Sequence, residues 1–152
     1  MGMTFAEKIL AIYAKKEKTT PGQIVTVYPD HLLTHDNTAA IIEKIPHELA
    51  NYGIASTDLP VIVIDHVVPA ASEKTALNHK TIREFVNAHH VKHFYDTGEG
   101  ICHQVVVEKG LALPGQIALG SDSHTCSYGA IGAFSSGIDR TEAAALLLTG
   151  QT

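Results

Sequence analysis

The chain has 152 residues, 45% of them hydrophobic, and a net charge of −5 with histidines neutral. This suits one domain or a piece of a larger one, supports a buried core and excludes disorder. The acidic balance, without a lysine or arginine cluster, excludes a nucleic-acid surface but leaves room for a small anion at a local site. No apolar run reaches membrane-spanning length, and the first seven residues lack the basic and apolar regions of a secretory signal. A cytoplasmic location without membrane contact is the expectation. Cys102 and Cys126 form no Cys-x-x-Cys pattern and read as a pair of buried thiols. Ten histidines are the unusual feature, suited to acid–base work or metal binding.

Thr4-Phe5-Ala6-Glu7 is a capping-box pattern. Phe5, Ile9, Leu10 and Tyr13 follow at helical spacing, predicting a helix that ends in the charged stretch 15–18. After the Pro21-Gly22 turn, residues 24–28 read as a strand closed by Pro29. No strand is read in 30–38. There Asp36 or Asn37 caps a helix through Ala39, Ile41, Ile42 and Ile45, which Pro46 breaks or bends. His35 precedes that helix, where outward N–H groups attract anions; taken alone, it reads as a surface-loop histidine.

Residues 61–64 lack alternation and read as a strand covered on both faces. The strand stops at Asp65-His66, and the chain must turn there if both are to face one site. Residues 72–90 read as a long helix with Leu77, Ile82, Phe85 and Val86 on its apolar face. His89 and His93 are spaced to hold a metal only if that helix continues, and no third ligand is suggested. Residues 93–96 read as a short strand and 97–100 as a turn.

Residues 101–109 contain a β-branched run, yet Gly110 fits a helix end and Pro114-Gly115 a turn. The segment is read as a helix with His103 in its first turn, where the N-terminal field disfavours an imidazolium. Residues 117–119 form a short buried strand leading into Gly120-Ser121-Asp122-Ser123-His124-Thr125-Cys126, a tight cluster of acid, hydroxyl and imidazole. The glycines of 129–137 read as tight turns and close packing. Asp139-Arg140-Thr141-Glu142 then caps a helix over 143–148 that ends near Gly150. Alternating β and α segments predict an α/β fold, a three-layer α/β/α arrangement with a mainly parallel sheet.

Three polar knots stand out: Asp65-His66, Gly100-x-x-His103-Gln104 and Asp122-Ser123-His124. With Asp36-x-Thr38, their order resembles the aconitase superfamily, on its isopropylmalate and homoaconitate branch. Asp65-His66-Val67-Val68-Pro69, Phe94-Tyr95-Asp96-x-Gly98-x-Gly100-Ile101-x-His103-Gln104 and Gly120-x-Asp122-Ser123-His124-Thr125 carry the resemblance, which runs from about residue 4 to 152. It implies that residues 1–152 are the N-terminal part of an aconitase-like large-subunit catalytic domain.

The resemblance also implies hydro-lyase chemistry: a hydroxy-carboxylic acid loses water to an enoate, and water returns at the neighbouring carbon. The implied cofactor is a [4Fe–4S] cluster with one iron free to act as a Lewis acid. By matching positions, Asp65 and His66 resemble the pair that protonates the departing hydroxyl. Asp122 and His124 resemble a second acid–imidazole pair, and His103 a third active-site histidine. Ser123 and His35 resemble substrate-contacting positions. Glutamine stands at the His35 position in aconitases proper, which favours an isopropylmalate, homoaconitate or dimethylmalate-type substrate over citrate.

The family's cluster cysteines lie beyond Thr152, and Cys102 and Cys126 do not match them. Its catalytic-base serine, in another domain or a small partner subunit, is absent too, as are most of its substrate-binding arginines. The expectation is a small hydroxy-carboxylate substrate, a small subunit as partner, and a chain that neither holds the cluster nor turns over alone. The composition does not wind down over 149–152, as expected of a chain cut within a domain. Two other readings stand beside this one. A mononuclear zinc hydrolase predicts stoichiometric zinc; a non-catalytic folded fragment or binding module predicts cooperative unfolding without turnover.

Overall fold

A computed structural model describes residues 2–152. Five strands form one sheet: β1 (His31–Thr34), β2 (Pro60–Val63), β3 (His93–Tyr95), β4 (Ile117–Gly120) and β5 (Phe134–Gly137). Their order is β3-β2-β1-β4-β5, and every pairing is parallel. The helices are α1 (Phe5–Tyr13), α2 (Thr38–Ile42), α3 (Pro46–Tyr52), α4 (Glu73–His89), α5 (Cys102–Glu108) and α6 (Arg140–Thr149), with a 3₁₀ segment over Ser123–Ile131.

Each strand sends alternate side chains to opposite faces. Leu32, Ile62, Ile117 and Leu119 join a core with Ile41 of α2, Ile82 and Phe85 of α4, and Leu146 of α6. Leu33, Val61, Val63 and Ala118 join a second core with Val105 and Val106 of α5 and with Tyr128. The sheet is therefore covered on both faces, in the three-layer α/β/α arrangement expected. From β1 the chain adds strands in one direction to β3, then returns to the other side of β1 for β4. Right-handed crossovers running in opposite directions place their connections on opposite faces. This accounts for α5 and the 3₁₀ segment lying across the sheet from α4.

The capping boxes at Thr4 and Asp139 both form, and Gly150 ends α6 in the left-handed conformation. Of residues 101–109, Cys102–Glu108 are helical despite the β-branched run, because Val105 and Val106 bury against β2. Other expectations are corrected. Residues 24–28 are not a strand: Ile24 is 94% exposed, and Val27 pairs outside the sheet with Thr152, in both directions at 2.9 and 3.0 Å. The strand comes a few residues later, at His31–Thr34, where only Leu32 and Leu33 are large and apolar. Pro46 does more than break a helix; it starts α3, where its missing N–H costs nothing.

The 129–137 stretch contains β5 as well as turns. Leu77 is exposed, so the apolar face of α4 begins at His79. His90, at φ 53°, ends α4, and His93 lies on β3, so the pair with His89 does not share a helix. Cys102 is buried but Cys126 is exposed. Among the described residues, no helix is long and apolar enough to cross a membrane.

Gly137 lets β5 pass beneath the loop after β4. A Cβ there would stand 2.8 Å from the carbonyl oxygen of Asp122 and 3.3 Å from the Cα of Ser123, both backbone atoms. Gly137→Ala is expected to destabilise the fold by about 1–3 kcal/mol. Gly129→Ala, whose Cβ would meet nothing within 4 Å, serves as the control. Thermal melts followed by circular dichroism compare the two; equal melting temperatures would contradict this packing.

Candidate active site

In an open parallel sheet, ligands bind where the strand order reverses, outside the carboxyl ends of the strands. Here the reversal lies between β1 and β4. Three loops leave the sheet at that edge: 35–37 after β1, 64–67 after β2 and 121–124 after β4. They are tied to one another. Asn37 Nδ2 donates to the Ser121 carbonyl at 3.0 Å, and Ser121 Oγ donates to Asn37 Oδ1 at 3.0 Å.

Asp36 organises the loop after β2. Its Oδ2 accepts from the backbone N–H of Asp65 at 3.0 Å and of His66 at 2.8 Å. Its Oδ1 accepts from Val67 N–H at 3.2 Å and from His79 Nε2 at 2.7 Å. Burial opposes the charge on Asp36. The His66 N–H, the His79 imidazole and the N–H groups of Asp65 and Val67 outweigh it and hold the carboxyl down at about 2. The chain turns at this carboxylate, so the adjacent Asp65 and His66 side chains meet. Asp65 Oδ1 lies 2.6 Å from His66 Nδ1, while Asp65 Oδ2 accepts from the Cys102 N–H of α5, also at 2.6 Å.

The His66 side chain is 41% exposed, and the His35 ring stacks on it at 3.9 Å between centroids and 16° between planes. His35 is half-buried, and its buried Nδ1 has no hydrogen-bond partner among the described residues. Burial, reinforced by the neighbouring His66, lowers its pKa. His35 is therefore not the surface histidine that its loop position suggests. Both rings line a cleft of about 470 Å³ that also carries Lys74, Asn78 and Arg140.

The second group hangs from Asp122. Its Oδ1 lies 2.8 Å from His103 Nε2, accepts from His124 N–H at 2.7 Å, and lies 3.2 Å from His124 Nδ1. Burial raises the carboxyl's pKa, but the His124 N–H and the His103 imidazole outweigh it, and the net shift is downward. His103 Nδ1 lies 2.9 Å from the hydroxyl of Tyr128. The sequence resemblance couples Asp122 with His124; the structure couples it more closely with His103, and His124 is 80% exposed. Ser123 is exposed and lines a separate hollow of about 520 Å³ with Asp122, Ser136 and Asp139. The two groups join through the first turn of α5, where Cys102 binds Asp65 and the next residue, His103, binds Asp122.

Three contributors lie outside the polar knots. Asp36 reads as a helix cap but caps nothing. Tyr128 falls between the polar cluster of 120–126 and the glycine-punctuated stretch of 129–137. His79 lies mid-helix, 3% exposed, in line with Ile82 and Val86 at spacings of three and seven residues. A histidine on an apolar face signals a buried partner, and that partner is Asp36.

Neither cysteine fits an iron–sulfur cluster on this chain. Burial, aided by the Asp65 carboxylate, pushes the Cys102 thiol up to about 12, where it resists the ionisation a ligand needs. Cys126 stands apart on the 3₁₀ segment, its Sγ turned 3.4 Å from the Ser123 carbonyl oxygen. Nor does the group around His66 converge on a single zinc ion. His35, Asp36, Asp65 and His66 lie close enough to share one. Yet stacked, near-parallel imidazoles have lone pairs in separate planes that do not converge on one ion.

Two expected outcomes follow from this geometry. A depressed carboxyl pKa contributes stability that is full above the unfolded value and disappears as pH falls through the folded one. For Asp36 that window runs from about 4 down to about 2. Asp36→Asn is expected to cost about 1.5–3 kcal/mol at neutral pH and to flatten the acid limb of stability in that window. Urea titrations at stepped pH check it, and an unchanged acid limb would refute the anchoring role. Separately, iodoacetamide at neutral pH is expected to label Cys126 quickly and Cys102 only after denaturation, as mass spectrometry can follow.

The aconitase family model (aconitate hydratase) matches residues 7–152. The chain is 44% identical over 154 residues to a 3-isopropylmalate dehydratase large subunit of Aquifex aeolicus, covering 99% of this chain and 35% of that protein. It is 44% identical over 151 residues to 3-isopropylmalate dehydratase large subunit 1 of Methanopyrus kandleri, and 40% identical to a probable large subunit of Methanothermobacter thermautotrophicus. In both, 99% of this chain and 36% of the relative are covered. The chain thus spans about a third of the length of these relatives. A match over nearly every residue, on a parallel sheet whose switch point gathers two acid–imidazole groups, establishes that the chain belongs to the aconitase family.

Proposed function

We propose that residues 1–152 form the N-terminal part of the large subunit of a hydro-lyase. It moves a hydroxyl between adjacent carbons of a small hydroxy-dicarboxylate or hydroxy-tricarboxylate of the isopropylmalate or homocitrate/homoaconitate type. The observation that carries this reading is the pair of carboxylate–imidazole couples, Asp65–His66 and Asp122–His103 with His124, at the edge where the strand order reverses. Hydroxide is a poor leaving group and departs only when a proton reaches it. An imidazole backed by a carboxylate has one nitrogen fixed and the other free to move that proton. His66 is tethered at Nδ1 to Asp65, which leaves Nε2 for the hydroxyl of the substrate. The group around Asp122 then serves the second half-reaction, in which water returns at the neighbouring carbon.

The cleft beside His66 suits the rest of the substrate. Lys74 and Arg140 there offer positive charge to a carboxylate, and His35 adds a buried nitrogen with a vacant hydrogen-bonding position. Ser123 supplies a further hydroxyl next to Asp122. In this reading the [4Fe–4S] cluster, the catalytic serine and the remaining carboxylate-binding arginines come from the rest of the large subunit and from a small-subunit partner. The 152-residue chain alone is then expected to show no turnover.

The test is a chimera in which this segment replaces the matching third of a related large subunit, assembled with its small subunit. Asp65→Asn and His124→Ala should each lower kcat for 3-isopropylmalate by about 10²–10⁴-fold, with unaltered circular dichroism. Full activity in either variant would remove the proton-handling role assigned to that residue. Arg140→Ala and Lys74→Ala should act mainly on KM.

A further inference from the structure

Three donors converge on one oxygen of Asp122, and two of the donating groups are imidazoles. Next to His103 stands Tyr128. This tyrosine is 2% exposed, and its hydroxyl has one hydrogen-bond partner among the described residues, His103 Nδ1 at 2.9 Å. Burial, with Cys102 and the carboxylates of Asp122 and Asp65 nearby, pushes the phenol's pKa upward, so it keeps its hydrogen. A buried hydroxyl hydrogen must find an acceptor. The acceptor at hand is the Nδ1 lone pair of His103. Nδ1 therefore carries no hydrogen, and the ring proton sits on Nε2, where the Asp122 carboxylate accepts it at 2.8 Å.

We propose that Tyr128 is a positioning residue that locks His103 as the neutral Nε2–H tautomer, leaving His124 as the proton-carrying imidazole of the Asp122 group. Both nitrogens of His103 are then occupied, and none remains for a substrate. A second proton on its Nδ1 would deprive the buried Tyr128 hydroxyl hydrogen of the acceptor it now has. His124 is in the opposite position. Its Nδ1 faces Asp122 at 3.2 Å, its ring is exposed, and its Nε2 has no partner among the described residues. A carboxylate held by His103 and by the His124 N–H thus orients one mobile imidazole rather than two.

The proposal rests on the hydro-lyase reading for what His124 does, but not for the tautomer, and the measurement separates them. Long-range ¹H–¹⁵N correlation spectra of the ¹⁵N-labelled 152-residue chain at neutral pH report which ring nitrogen of each histidine carries hydrogen. For His103 the expected pattern is protonated Nε2 with a hydrogen-bonded, unprotonated Nδ1. Tyr128→Phe, with unchanged circular dichroism, should shift Nδ1 by several ppm toward a free imine nitrogen while His66 stays in place. A hydrogen on His103 Nδ1 in the wild-type chain, or a His103 spectrum indifferent to Tyr128→Phe, would overturn the proposal. If the variant does not fold, the wild-type tautomer alone decides. In the chimera, Tyr128→Phe should alter the pH profile of kcat more than KM. A chimera without dehydratase activity would count against the hydro-lyase reading and leave the tautomer result standing.

Discussion

Because β1 pairs with β2 on one side and β4 on the other, the loops after all three strands emerge at one edge of the sheet. Parallel pairing sets this: strands that run the same way end at the same edge. The reversal of strand order at β1–β4 also parts the crossover connections above that edge, since those of opposite sense cover opposite faces. Residues 35–37, 64–67 and 121–124, far apart in sequence, therefore share one rim. The Asn37–Ser121 hydrogen bonds close that rim across the gap.

The rim is held together by carboxylates that act as acceptors. A carboxylate taken partly out of water is costly unless donors replace its hydration. Asp36 finds four donors, three of them consecutive backbone N–H groups that have no strand partner after β2 ends. Asp65 bridges His66 and the first turn of α5. Asp122 gathers His103 and His124. Each acid is thus paired with an imidazole that its own field orients. The same carboxylates satisfy the loop backbone and hold the histidine rings in place.

Much of this was legible in the chain. The unbroken apolar run at 61–64 required a strand covered on both faces, and the alternation of strand-like and helical segments required a layered α/β fold. Capping boxes at Thr4 and Asp139 fixed two helix starts, because they depend only on residues three apart. Short strands escaped for the opposite reason. β1 offers two apolar residues and β5 mostly serine and glycine; each is a strand only because a neighbour supplies its hydrogen bonds. Residues 24–28 carry better strand composition but have no neighbour in the sheet.

What the sequence determined by itself was the inventory: the acid–imidazole knots, their order, and the family resemblance they carry. Those features are local, set by adjacent or nearby residues. The tertiary structure decided who pairs with whom. Asp122 meets His103, nineteen positions away, rather than chiefly His124; Asp36 meets His79, forty-three positions away; and Tyr128 closes on His103 from twenty-five positions away. Such pairings depend on which strands end at the same edge, and no local pattern encodes that, because it follows from the order in which the whole sheet is assembled.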